Sequence, residues 1–180
     1  MLGYVSGLLN QGTSRFLTIG LGKGDIHELK RLFTACYSLH LIIAIFTFII
    51  GEIAGVWFVN TQLVIDADRM FAANVVFQFA LLSSMITFIQ APFQASIISH
   101  EKMGVFAYMS TYDVCMKLLI AFLLLYVDTD KLILYSVFYF CANLSGVLLY
   151  NWYCRKHFEE CSFSIGFDMS IYKEIGSYIG

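Results

Sequence analysis

Hydropathy along the chain falls into long apolar blocks separated by short polar joints. The clearest blocks are Leu32–Phe58, Phe71–Ile98, Val105–Val127 and Leu132–Tyr153. A helix needs about 20 residues to cross a hydrocarbon layer about 30 Å thick, so each block is long enough. None shows the strict two-residue alternation of barrel strands, and a helix satisfies its backbone hydrogen bonds within one segment. The pattern therefore predicts an all-α fold: a polytopic bundle with four clear transmembrane helices.

The two ends read differently. Met1–Leu21 mixes Leu2, Val5, Leu8, Leu9, Phe16, Leu17 and Ile19 with Asn10, Gln11, Thr13, Ser14 and Arg15. An arginine near the centre of a span costs about 2.5–3.5 kcal/mol on the translocon scale. This segment is expected to be a marginal helix packed inside a bundle, its polar stripe turned towards a cavity. Ser170–Gly180 reads as the start of an amphipathic helix. Both ends look cut from a longer chain, so one partial transmembrane domain over 1–180 is the expectation.

Composition supports the membrane reading. Hydrophobic residues make up 59% of the chain and charged residues only 13%, against about 25% charged in a soluble domain. The surplus apolar surface must meet something other than water, and the lipid bilayer is the expected partner. A net charge of −2 leaves no basic field for nucleic acid, so no nucleic-acid partner is expected. The five cysteines are scattered and imply no disulfide framework. No basic n-region and small-residue cleavage site mark a signal peptide.

Basic residues set the orientation. Arg15, Lys23, Lys30 and Arg31 surround the first joint, Lys102 lies in the third, and Arg155 and Lys156 follow Tyr153. The intervening joints hold only Arg69 and Lys131. Joints 22–31, 99–104 and 154–169 are accordingly placed in the cytoplasm. Trp57 and Phe58 then anchor the external interface, and Trp152 and Tyr153 the internal one.

Candidate chemistry centres on charges inside apolar spans. Asp113 and Lys117 stand at i,i+4 and share a helix face. At about 1.5 Å per residue from Val105, Lys117 lies roughly 18 Å along its span, near mid-bilayer. An ionisable pair there must face the bundle interior or water. It reads either as a cavity-lining cation for an anionic substrate, tuned by the carboxylate, or as a self-neutralised packing pair. Arg15 reads either as snorkelling to the headgroups or as joining Asn10, Gln11 and Ser14 in a polar substrate-binding lining. A coupling site for protons or sodium favours a lone carboxylate in mid-membrane; Asp113 is the only one read in that role, and it has a partner.

Pro92, flanked by Gln90 and Gln94, removes a backbone hydrogen bond and predicts a kink, either a gating hinge or a static feature of packing. Cys154, His157 and Cys161 have metal-like spacing without a fourth ligand, so no metal site is expected. The glycines of 20–24 lack the order of a phosphate loop. No nucleophile–base pair or paired catalytic carboxylates appear. Neither an enzyme nor a cofactor is expected.

The stretch Arg15–Asp25 resembles the turn after the second transmembrane helix of polysaccharide-type flippases, members of the MATE-like multidrug/oligosaccharidyl-lipid/polysaccharide superfamily. Arg69–Asn74, Gln90–Met103, Phe106–Ser110, Asp130–Tyr135 and Cys154–Cys161 are similar to later stretches of the same proteins, so the resemblance runs almost end to end. It implies a bacterial inner-membrane chain covering helices two to six and the start of seven, with the orientation derived above. It implies two pseudo-symmetric lobes around a cavity, and so a partial N-terminal lobe here whose partners are the remaining helices. The implied function is moving undecaprenyl-pyrophosphate-linked oligosaccharide across the membrane by alternating access, for lipopolysaccharide, O-antigen or capsule biosynthesis. A cation-coupled multidrug exporter of the same superfamily and a non-transporting scaffold or truncated product stay open as alternatives.

Overall fold

Runs of apolar, straight-chain and aromatic residues with a single internal proline leave the backbone little choice but helix. The computed structural model describes residues 2–62, 66–127 and 130–161, and all secondary structure among them is helical. Helix α1 spans Leu2–Lys23 and α2 spans Ile26–Ile50. A π-helical segment, Gly51–Gly55, leads without a break into α3, Val56–Thr61. Helices α4 (Ala67–Ser99), α5 (Met103–Leu123) and α6 (Lys131–His157) follow, and a short 3₁₀ turn, Glu159–Cys161, closes the described chain. The expected helix start at 170–180 lies outside the described residues.

Local chemistry fixes the turns. Gly24 adopts φ +72°, the left-handed conformation that ends a helix at little cost when no Cβ is present. Asp25 then caps α2, its carboxylate accepting from the backbone N–H groups of His27 and Glu28 at 2.8 and 3.3 Å. This cap starts the helix early and corrects the expected joint at 22–31: Lys30 and Arg31 lie on α2, not in the turn. At the other extreme α5 stops before the expected Val127. Leu125 and Tyr126 bond back to Phe122 and Leu123 at 3.1 and 3.2 Å, tightening the chain into a turn after Leu123. Asp130 caps α6 through the N–H of Leu132 at 3.2 Å, and α6 runs on through Arg155 and Lys156 to His157.

Helix α4 is the centre of the bundle, touching α1, α2, α5 and α6, with its widest contact to α6. The principal core gathers Leu17 of α1, Leu29 and Phe33 of α2, Phe93 and Ile97 of α4, and Tyr150 and Cys154 of α6. Phe33, Tyr37 and Phe93 form a ring trio with centroids 5.7–6.5 Å apart, within the range of favourable aromatic pairs. This core lies at the end of the bundle that carries Lys23, His100 and His157, hereafter the basic end. Pro92 is fully buried within α4, which continues as helix through it to Ser99 although Phe88 loses an N–H partner.

Outward faces carry large apolar side chains. Ile53 is 72% exposed, Leu118 65% and Phe46 64%, far more greasy surface than water tolerates in a contiguous patch. Among the described residues, four helical stretches are long and apolar enough to cross a membrane: Ile26–Thr61, Arg69–Ser99, Met103–Leu123 and Lys131–His157. The chain is an all-α membrane protein.

Helices α2 and α4 meet closely at the π-helical segment, where a Cβ added to Gly55 would run into the ring of Phe77 and one added to Gly51 into Leu81. Small residues let helix backbones approach where lipid offers no hydrophobic drive for association. Gly55→Val is therefore expected to destabilise the protein by about 1–3 kcal/mol, with partial recovery when Phe77→Leu is added. Thermal unfolding in mild detergent reads both effects.

Candidate functional site

The polar stripe of α1 follows helical geometry. Thr13, Leu17 and Gly20 are buried, whereas Gln11, Arg15 and Thr18 are exposed. The two sets repeat at i, i+4 and i+7, so they occupy opposite faces. The exposed set opens onto a groove of about 480 Å³ lined by Gly7, Asn10, Gln11, Ser14, Arg15 and Thr18 of α1 with Ile98 of α4. All four α1 residues expected to bind substrate thus share one groove.

Partners fix parts of this lining. Asn10 donates its side-chain N–H to Oε1 of Gln94 at 3.3 Å. Gln94 also reaches the Tyr150 hydroxyl, so one polar network ties α1 to α4 and α6. The carbonyl oxygen of Asn10 is buried and has no hydrogen-bond partner among the described residues. Thr18 donates to the Ser14 carbonyl at 2.9 Å, leaving its hydroxyl lone pairs free to accept. Arg15 makes no ion pair with a carboxylate among the described residues. A guanidinium offers five N–H donors in a planar fork, a geometry suited to phosphate or carboxylate oxygens. Chemically the groove is a mono-cationic, hydroxyl- and amide-rich surface on an otherwise apolar bundle.

Asp113 and Lys117 lie elsewhere. Lys117 Nζ donates to Asp113 Oδ2 at 2.6 Å on α5 and sits 5.6 Å from the ring centroid of Tyr139 on α6. Each side chain remains about two-fifths exposed. The ammonium is held both by a carboxylate and by an aromatic face, and neither residue lines the Arg15 groove. The two expected cations are therefore not brought together. Nearby, the Tyr112 hydroxyl bonds Ser145 at 3.1 Å and joins α5 to α6. Pro92 stands two residues before Gln94, so the proline-bearing stretch of α4 also carries the central member of the polar network.

Three polar features escape a reading of the chain as a string. Glu52, on the π-helical segment, accepts from Gln78 of α4 at 3.1 Å and has no cationic partner among the described residues. It is the sole acid in the apolar block Leu32–Phe58, and that isolation is its one signal in the sequence. His40 is fully buried on α2; its Nδ1–H donates to the Cys36 carbonyl at 2.8 Å, and Nε2 has no partner among the described residues. At the basic end, His100 and Glu160 meet at 2.5 Å across 60 residues of sequence. Cys154 and Cys161 are buried, whereas His157 is exposed and stacks on Tyr153. Among the described residues no three His, Cys, Asp or Glu side chains are grouped to hold a metal ion.

Set against known proteins, the chain matches no family model, no curated protein and no solved structure. The Asp113–Lys117 geometry makes its own prediction. Removing either partner leaves an uncompensated charge at membrane depth. Asp113→Asn and Lys117→Met are each expected to lower the unfolding temperature in detergent, and the double variant to recover most of the loss. A coupling energy of about 1 kcal/mol is expected from the double-mutant cycle.

Proposed function

We propose that this chain is part of a polysaccharide-type flippase that passes a lipid-linked oligosaccharide across the bacterial inner membrane by alternating access. The observation that carries the proposal is the α1 groove. An arginine, two side-chain amides and two hydroxyls line one face of a helix embedded in an apolar bundle. Exposing that face to acyl chains is costly, whereas a water-filled translocation cavity solvates it. A pyrophosphate-linked sugar presents the matching chemistry: anionic oxygens for Arg15 and hydroxyls for Asn10, Gln11, Ser14 and Thr18.

In this mechanism the substrate diphosphate enters the groove from the basic end, the cytoplasmic side by the distribution of Lys and Arg. Arg15 holds it while the two lobes rock about the cavity. Lys117, held by Asp113 outside this groove, supplies a second cation only at a later stage of the passage. The resemblance of Arg15–Asp25 and Gln90–Met103 to polysaccharide-type flippases supports the same reading.

A specific observation favours a second reading, a cation-coupled drug exporter. Glu52 is a carboxylate with a neutral partner only, set on a helix irregularity of the kind often found at functional sites. Protonation or binding of a monovalent cation at Glu52 would then drive the cycle.

Complementation of a flippase-deficient strain with the full-length protein separates the two. Under the flippase reading, Arg15→Ala lowers surface polysaccharide about tenfold at equal membrane abundance, the loss of one charge-assisted contact. Arg15→Lys retains part of the activity, and Lys117→Ala gives a smaller decrease. Unchanged surface glycan in Arg15→Ala overturns this reading. Under the exporter reading, Glu52→Gln abolishes ion-dependent drug efflux and Arg15→Ala leaves it intact.

A further inference from the structure

The chain reverses abruptly where α6 ends. His157 is the last residue of α6, and Phe158 takes an extended conformation with φ −124° and ψ 119°. Its N–H is secured to the Cys154 carbonyl at 2.8 Å. The next residues fold back across the basic end instead of running out into solvent. Phe158 stacks on the His100 ring, with centroids 4.1 Å apart and planes 7° from parallel. The 3₁₀ turn Glu159–Cys161 packs on α2 and α6.

A single polar lock holds this reversal. Glu160 is 4% exposed, and its Oε1 accepts from His100 Nε2 at 2.5 Å and from Ser96 Oγ at 3.1 Å. Ser96, in the last turn of α4, and His100, its C-cap, stand four residues apart and both reach the reversal. Beneath it, Cys154 and Cys161 are fully buried, with Cys161 Sγ 3.7 Å from Ser96 Oγ. On the far side of the turn that follows α4, Glu101 adopts φ +57°, an uncommon left-handed conformation for a residue with a Cβ. The end of α4 thus sits between a strained turn and the hydrogen-bonded His100–Glu160 pair.

We propose that residues 158–161 form a latch that clamps α2, α4 and α6 together at the basic end, with His100–Glu160 as its lock. A buried carboxylate is tolerated only while its partner is in place. Loss of the pair therefore expels Glu160 to water instead of loosening it by degrees, which makes the latch a two-state element. An apolar plug would lack that property. Ile98, which walls the Arg15 groove, lies between Ser96 and His100 in sequence and about 200° around the helix from Ser96. One turn of α4 consequently bears the groove on one face and the latch on the other, so release of the latch frees the groove wall to move. The inference stands on this geometry and not on the identity of any cargo.

The two buried thiols report the state of the latch directly. The full chain, purified in mild detergent with Cys36, Cys115 and Cys141 replaced by alanine, is labelled with a polyethylene-glycol maleimide, and the rates at Cys154 and Cys161 are followed. A parallel version keeps Cys36 alone, a buried thiol of α2 outside residues 158–161, as the control for opening of the rest of the bundle. His100→Ala and Glu160→Ala are each expected to raise the labelling rate of Cys154 and Cys161 about tenfold while Cys36 stays slow. His100→Lys, which keeps a hydrogen-bond donor opposite Glu160, is expected to stay within about threefold of the parent. Ser96→Ala, which removes one hydrogen bond without stranding a charge, is expected to give a smaller rise than either alanine variant. The proposal is overturned if the rates at Cys154 and Cys161 do not rise, or rise in only one of the two lock variants. Equal acceleration at Cys36 overturns it as well, because the pair would then hold the whole bundle together.

Discussion

Hydrocarbon offers no partner for a hydrogen bond, and that constraint organises this molecule. Backbone groups are satisfied by winding each apolar run into helix. Polar side chains within the runs then have two options, bonding back to their own helix or reaching a neighbour. Thr34, Thr87 and Ser136 take the first course, each bonding a carbonyl three or four residues earlier. Asn10–Gln94, Glu52–Gln78, Asn60–Asn74 and Tyr112–Ser145 take the second. Since lipid tails are as apolar as leucine, these interhelical bonds and the close approach at Gly51 and Gly55 define which helices are neighbours.

The two ends of the bundle are built differently. At the basic end, rings and aliphatic side chains from α1, α2, α4 and α6 interlock around Phe33, Phe93 and Tyr150. Towards the other end, the π-helical segment and α3 are joined to α4 by side-chain hydrogen bonds and by glycine contacts with Leu81 and Phe77. Dense packing deforms little, whereas a few exchangeable polar bonds reorganise at small cost. The molecule combines a stiff end, locked by a reversal of its own chain, with a more adaptable one. The polar groove of α1 runs along the side of this gradient.

Much of the architecture is legible in the sequence because it depends on near neighbours. The four apolar blocks exceed bilayer length, so their helical state follows from composition alone. The stripe of Asn10, Gln11, Ser14 and Arg15 follows from a period of 3.6, and Asp113–Lys117 from a spacing of four. Helix ends are less legible, because the Asp25 cap starts α2 at Ile26 and so takes Lys30 and Arg31 out of the expected joint. What stays hidden is contact between distant positions. Nothing in a linear reading brings His100 to Glu160, places Tyr139 beneath Lys117, or keeps Arg15 and Lys117 apart. Those are matters of how helices cross. Glu52 was visible as a lone acid, but the π-helical segment and its partner Gln78 were not.

The unbroken run from Ile26 to Thr61 counts 36 residues. At about 1.5 Å per residue it is roughly 54 Å long, against a hydrocarbon thickness of about 30 Å. A rod of that length lies steeply oblique in a bilayer or protrudes beyond it, and the π-helical segment marks where its course can be adjusted. Membrane thickness thereby acts on this helix as a mechanical load. A thicker, more ordered bilayer draws it upright and a thinner one lays it over, so lipid chain length alone shifts the balance among the orientations this bundle adopts.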